Sequence, residues 1–194
     1  MTTPKQLWLL AGGNGAGKST FYEQFLKPRA IPFVNADIIA RELYPDAPES
    51  NSYAASRIAQ ELRDNLLRKG QNFCFETVFS QVSKIDSVGT AKALGYEIIL
   101  VFIDLDNDDL NNARVAQRVT QGGHFVPDEK VHERIPRTLC NIKTAIVLCN
   151  RIVLLDNSSL ANPFRQVASL ENGMLVRLQD PLPPWALEML AGYN

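Results

Sequence analysis

The residues that most directly imply chemistry lie near the start of the chain. Gly12-Gly13-Asn14-Gly15-Ala16-Gly17-Lys18-Ser19 fits the pattern G-x-x-x-x-G-K-[ST] at every fixed position, and Thr20 follows it. Glycines let the backbone curl so that successive N–H groups face phosphate oxygens. A helix opening at the end of the loop adds its partial positive charge. Lys18 would then reach the β- and γ-phosphates, and the Ser19 hydroxyl would ligate Mg²⁺. The pattern carries this meaning only between a buried strand and a helix. Both are present in sequence: Leu7-Trp8-Leu9-Leu10-Ala11 is an unbroken apolar run, and a helix is expected after Gly17 to about Leu26, ahead of Pro28. Nucleoside triphosphate binding follows.

Several acids and bases stand where such a site needs them. Asp37 ends a second apolar run in Phe33-Val34-Asn35-Ala36-Asp37. Ligands of open α/β sheets bind at the carboxyl ends of strands, and a carboxylate there can take a proton from an attacking hydroxyl. Position alone fits a helix cap equally well. Glu76 and Thr77 end a third run, Phe73-Cys74-Phe75. An acid there either faces a polar cleft or is costly to bury. It could hold a substrate hydroxyl, serve the water shell of Mg²⁺, or simply be solvated.

Arg114 and Arg118 share one helix face, and Lys130, Arg134 and Arg137 share another. Between them lies the corner Gln121-Gly122-Gly123-His124. Two basic faces meeting at a glycine hinge suit a lid, over about 108–137, that brings guanidinium charge to a phosphoryl in transfer. A solvated charged surface is the plainer alternative.

Other constellations fail. A GTPase would need N-K-x-D, and Asn141-Ile142-Lys143-Thr144 lacks the aspartate. A motor ATPase would need an apolar strand ending in Asp and Glu, and Ile103-Asp104-Leu105-Asp106 lacks the Glu. Asp104, Asp106 and Asp108 imitate the start of a calcium loop, but Asp109 stands where Gly is required and Val115 where Glu is. They are expected to solvate a turn and cap a helix. His124 and His132 are the only histidines, so no zinc site is expected. A small-molecule kinase needs little beyond what is present. A nucleotide-dependent ATPase or regulator without an acceptor is the alternative.

The elements that must position these residues alternate. Strands are expected at Leu7–Ala11, Ile31–Val34, Asn72–Thr77, Glu97–Leu105 and Arg151–Leu155. Helices are expected at about Asp37–Leu43, Ser50–Lys69, Ser80–Leu94, Asp108–Gln121, Pro127–Cys149 and Trp185–Leu190. In Ser50–Lys69, Ala55, Ile58, Ala59, Leu62, Leu66 and Leu67 form the apolar stripe, with Arg57, Arg63, Asp64 and Arg68 opposite. Asn172-Gly173 between Gln166–Glu171 and Met174–Leu178 signals a hairpin. The alternation implies an α/β fold: three layers, a mainly parallel five-stranded sheet, a helical lid and a C-terminal β-hairpin.

The 194 residues fit one domain spanning 1–194. With 45% apolar and 21% charged residues the composition is that of a globular protein. Twenty basic and 21 acidic residues give a net charge of −1, which disfavours nucleic acid as a partner. Cys74, Cys140 and Cys149 fit neither a disulfide framework nor a zinc pattern and are expected as core thiols. No apolar run approaches the roughly 20 residues needed to span a bilayer. A soluble, cytoplasmic protein with no membrane partner is expected.

Taken together, the phosphate loop, Asn35-Ala36-Asp37, Phe75-Glu76-Thr77 and the segment Arg118…Gly122-Gly123-His124…Pro127…Arg134, in this order, resemble the zeta toxin family. The resemblance runs from about Leu7 to Leu155, and the chain is similar to the compact, single-domain branch. It implies a P-loop kinase fold, ATP or GTP with Mg²⁺, and phosphorylation of a small-molecule hydroxyl, with UDP-N-acetylglucosamine as first candidate acceptor. By the same resemblance Asp37 is the base, Lys18 the phosphate-loop lysine, and Arg118 and Arg134 the lid arginines. The acid after the third strand, Glu76, is implied as a substrate contact, with Thr77 beside it; Asn35 and His124 are further candidate substrate contacts, and His124, beside two glycines, fits a phosphate contact or a plain loop histidine as well. An antitoxin protein is the partner that the family brings into view.

Overall fold

The structure, a computed structural model, describes residues 4–105 and 128–193, with the backbone path alone over 128–135. Strand β1 (Gln6–Ala11) runs into the glycine loop and helix α1 (Lys18–Phe21), which continues as a π-type turn (Tyr22–Leu26) and a 3₁₀ turn (Lys27–Arg29). There follow β2 (Phe33–Val34), α2 (Ala36–Leu43), α3 (Ser52–Arg68), β3 (Phe73–Thr77), α4 (Ser83–Ala93) and β4 (Glu97–Asp104). After the undescribed 106–127 come α5 (Asp128–Ile146), β5 (Arg151–Asp156), the hairpin β6 (Arg165–Glu171) and β7 (Met174–Leu178), and α6 (Pro184–Leu190).

Among the described residues the strands form one sheet in the order β2-β3-β1-β4-β5-β6-β7. The first five are parallel. The hairpin is not a separate addition: β6 pairs antiparallel with β5, so the expected five-stranded sheet extends to seven strands. The two antiparallel strands cover the edge that β5 would otherwise leave open.

Strand parity sorts side chains onto two faces. Leu7, Leu9, Ala11, Phe73 and Phe75 join the core beneath α2, α3, α4, α5 and α6. Leu10, Cys74, Ile99, Val101 and Ile103 join the core beneath α1, with Ala16, Tyr22 and Leu26. This is why the central strands are apolar at every position, and it makes the three expected layers.

Two expectations are corrected. The inward stripe of α3 is Ala55, Ala59, Arg63 and Leu67, whereas Leu62 is exposed. Arg63 therefore faces the core rather than solvent. Cys140 is exposed on α5, and only Cys74 and Cys149 are core thiols. Burial raises the Cys74 thiol well above its ordinary value and the Cys149 thiol to about 12, which suits inert core sulfur. Among the described residues no helix is long and apolar enough to cross a membrane.

Candidate active site

β1 lies between β3 and β4, so three strand ends converge on the glycine loop. The loop must pass very close to its neighbours. A Cβ on Gly12 would stand 2.1 Å from the carbonyl oxygen of Ile103 on β4. A Cβ on Gly17 would stand 2.5 Å from Asn157 Nδ2, and Gly17 has φ +100° besides. Only glycine fits at either position.

Lys18 is 5% exposed, and its ammonium donates to the carbonyls of Gly12 (3.1 Å) and Gly13 (2.7 Å). It also stands 3.6 Å from Glu76 Oε1. The other carboxylate oxygen, Glu76 Oε2, accepts from Ser19 Oγ (2.7 Å) and from Asn35 Nδ2 (2.9 Å). One carboxylate at the end of β3 thus joins the phosphate-loop lysine, the phosphate-loop serine and the end of β2. Parity explains the direction: Glu76 follows Cys74 onto the α1 face, while Phe75 points to the other.

Asn35 is the N-cap of α2. Its Oδ1 accepts from the backbone N–H of Asp37 (2.8 Å) and of Ile38 (3.2 Å). The capping role left open for Asp37 is therefore filled by Asn35. Asp37 is exposed in the first turn of α2, where the helix dipole favours a carboxylate. Among the described residues its carboxylate has no hydrogen-bond or ion-pair partner.

Thr77 is half-buried, and its Oγ1 accepts from the Phe79 N–H (2.9 Å). The same loop is fixed to α5: Thr138 Oγ1 donates to the Val78 carbonyl and Asn141 Nδ2 to the Phe79 carbonyl, each at 2.9 Å. Thr20 is exposed on α1, Asn14 is half-buried, and Gly15 and Ala16 are buried in the loop. Arg118 and His124 lie outside the described residues. Arg134 falls on the backbone of α5, outside the described side chains.

Sequence reasoning missed two residues. Asn157, directly after β5, donates from Nδ2 to the Ala16 carbonyl (2.9 Å) and accepts at Oδ1 from the Phe164 N–H (3.2 Å). It fastens the phosphate loop to the far side of the sheet. A polar residue closing an apolar strand was the available signal. Asp104 was expected in a solvated turn, yet it ends β4 at 7% exposure. It lines a small cavity with Gly13, Phe102, Thr138 and Leu139. Register decides this, since β4 runs on past the start of the phosphate loop.

The oxygens of Ser19 and Glu76 are hard donors of the kind Mg²⁺ takes, typically one or two from protein with phosphate and water supplying the rest. Among the described residues no group of three or more His, Cys, Asp or Glu gathers as a metal cage.

Comparison with known proteins bears on the family and the fold. The family described as AAA domain matches residues 7–139. An uncharacterized protein of Haemophilus influenzae is 31% identical over 137 residues, covering 67% of this chain and 97% of the relative. The structure of AvrRxo1-ORF1:-ORF2 with ATP superposes with a TM-score of 0.70 at 19% identity, over 89% of this chain. The present chain spans 60% of that one. The PezAT chromosomal toxin-antitoxin system of Streptococcus pneumoniae gives 0.58 at 18% identity, over 80% of this chain and 68% of that one. At these identities the structural likeness is one of fold. It bears out the P-loop architecture.

Proposed function

The chain belongs to the AAA domain family, and on that premise we propose that it is an ATP-dependent kinase acting on a hydroxyl of a small molecule. The observation that carries this reading is the linkage through Glu76. Its carboxylate touches Lys18 and Ser19 of the phosphate loop and also Asn35, which caps the helix bearing Asp37. Donor phosphates and an exposed base are thereby held on one framework at adjacent strand ends.

In this reading the loop amides and Lys18 hold the transferring phosphates of ATP or GTP. Ser19 and Glu76 would hold Mg²⁺, which supplies charge neutralisation on the phosphates. Asp37 accepts the proton of the acceptor hydroxyl as the hydroxyl oxygen bonds to the γ-phosphorus, and the bond from that phosphorus to the β-phosphate oxygen breaks, so that ADP or GDP leaves. Thr77 and His124 would contact the acceptor, while Asn35 acts by fixing Glu76 and α2. Arg118 and Arg134 would place guanidinium charge on the phosphoryl in flight. UDP-N-acetylglucosamine is the first acceptor to try, and an antitoxin protein the first partner.

The test is an acceptor screen with labelled ATP, run beside Asp37→Asn. Transfer to a metabolite that is lost in the variant supports the kinase. Phosphate release that ignores both acceptor and variant would instead make the protein an ATPase or nucleotide-dependent regulator.

A further inference from the structure

Arg63 breaks a rule of protein interiors. It occupies one position of the inward stripe of α3, between Ala59 and Leu67, and is 6% exposed. A buried guanidinium is normally matched by a carboxylate. Among the described residues Arg63 has no ion pair. Its Nη2 donates to the amide oxygen of Gln60, and its planar group lies 5.1 Å from the centroid of Phe75. Its Nε is buried with no hydrogen-bond partner. Gln60 in turn donates to Asp64 Oδ1 (2.8 Å); the Asp64 charge acts on Arg63 without forming a salt bridge and does not offset burial.

A second cation stands by. Lys84, in the first turn of α4, is half-buried. Burial first, and then the charge of Arg63, hold its ammonium below the ordinary range; burial does the same to Arg63. An anion placed between the two would relieve both effects.

The place is informative. Phe75 immediately precedes Glu76 on β3, and Arg63 packs on the sheet face that also receives α2 through Ala36 and Ile39. The cluster therefore shares a face with the helix carrying Asp37, opposite to the face of α1. We propose that Arg63 and Lys84 form an anion-binding subsite for the acceptor, which would carry a phosphate or comparable anionic group besides the hydroxyl that is phosphorylated. The assignment to the acceptor rests on the kinase reading; the subsite itself rests on the unpaired cations.

Inorganic phosphate is the probe, titrated calorimetrically into protein already saturated with Mg²⁺ and a non-hydrolysable ATP analogue, so that the phosphate loop is filled. Wild type should bind phosphate saturably. Arg63→Met, which keeps a polarizable chain over Phe75, should weaken binding roughly tenfold or more. It should also raise the melting temperature of the phosphate-free protein, because an uncompensated buried charge is gone. Lys84→Gln, at the less buried position, should weaken phosphate binding several-fold and covers the case in which Arg63→Met does not fold. Absence of saturable phosphate binding in wild type, or binding undiminished in Lys84→Gln and in any folded Arg63→Met, would overturn the proposal. So would a lower melting temperature in Arg63→Met with phosphate binding retained, which marks a structural cation. Failure of the kinase reading is separate: it appears as absence of transfer in the acceptor screen, which this titration does not read.

Discussion

Ser19 Oγ donates a 2.7 Å hydrogen bond to Glu76 Oε2, so the phosphate loop and the end of β3 meet at one carboxylate. Glu76→Gln keeps the size of the side chain and its acceptor oxygen but removes the charge that faces Lys18 and would serve Mg²⁺. Apparent Mg²⁺ affinity in the kinase assay should fall roughly 10–100-fold. A Mg²⁺ titration that overlays wild type would remove Glu76 from the metal's surroundings.

Asp37 and Asn35 separate chemistry from capping. Asp37→Asn should cut kcat by about 10²–10⁴-fold and lower the melting temperature only slightly, by the lost dipole interaction of about 0.3–1 kcal/mol, because Asn35 and not Asp37 caps α2. Asn35→Ala should weigh more on stability, costing about 0.5–2 kcal/mol by denaturant unfolding. Normal turnover with lowered stability in Asp37→Asn would deny it the role of base.

Asn157 is expected to control the shape of the phosphate loop from across the sheet. Asn157→Ala leaves the Ala16 carbonyl without its side-chain donor. The loss should cost about 1–3 kcal/mol of stability and weaken nucleotide binding as the loop becomes less preorganised. Gly12→Ala should abolish nucleotide binding, since its Cβ collides with the Ile103 carbonyl. Calorimetry with an ATP analogue reads both; unaltered affinity in both variants would refute the point.

Asp156 gives a pH signature unrelated to catalysis. Burial alone would raise its pKa. Hydrogen bonds from the Ser158 hydroxyl (2.6 Å) and N–H (2.9 Å) and from Arg165 (2.9 Å), with the charge of Arg165, outweigh burial and hold the carboxyl below its ordinary value. A carboxyl depressed by folding contributes stability above its unfolded pKa, about 3.9, and loses it as pH falls through the folded value. Asp156→Asn should therefore lower stability at pH 7 by about 1–2 kcal/mol. Its deficit against wild type should shrink as pH drops below about 4. A deficit independent of pH would point to packing instead.

The lid arginines are tested by the shape of the cation. Arg118→Lys and Arg134→Lys keep the charge and lose the planar fork. Each should reduce kcat by about 10³–10⁵-fold if it stabilises the phosphoryl in transfer. Full activity in both would leave them as surface charge.

The sequence alone determined the parallel strands, the phosphate loop and the order of acids at the strand ends. Each of these is written locally: unbroken apolar runs, a glycine string of fixed spacing, and polar residues where a run stops. Which way those acids face was not legible. β3 is buried on both sides, so its pattern carries no alternation to show that Glu76 turns toward Ser19 while Phe75 turns away. Nor could spacing decide between Asn35 and Asp37 as the cap, because both types cap helices and only the backbone angle at the end of β2 selects one. The hairpin was readable from Asn172-Gly173, but its pairing with β5 is a long-range choice made by the open sheet edge. Arg63 shows the limit most sharply. Polarity assigned it to solvent, whereas the helical period set by Ala55, Ala59 and Leu67 puts it against Phe75. Tertiary structure decided there because the stripe that faces the sheet is fixed by packing geometry, not by the character of each residue within it.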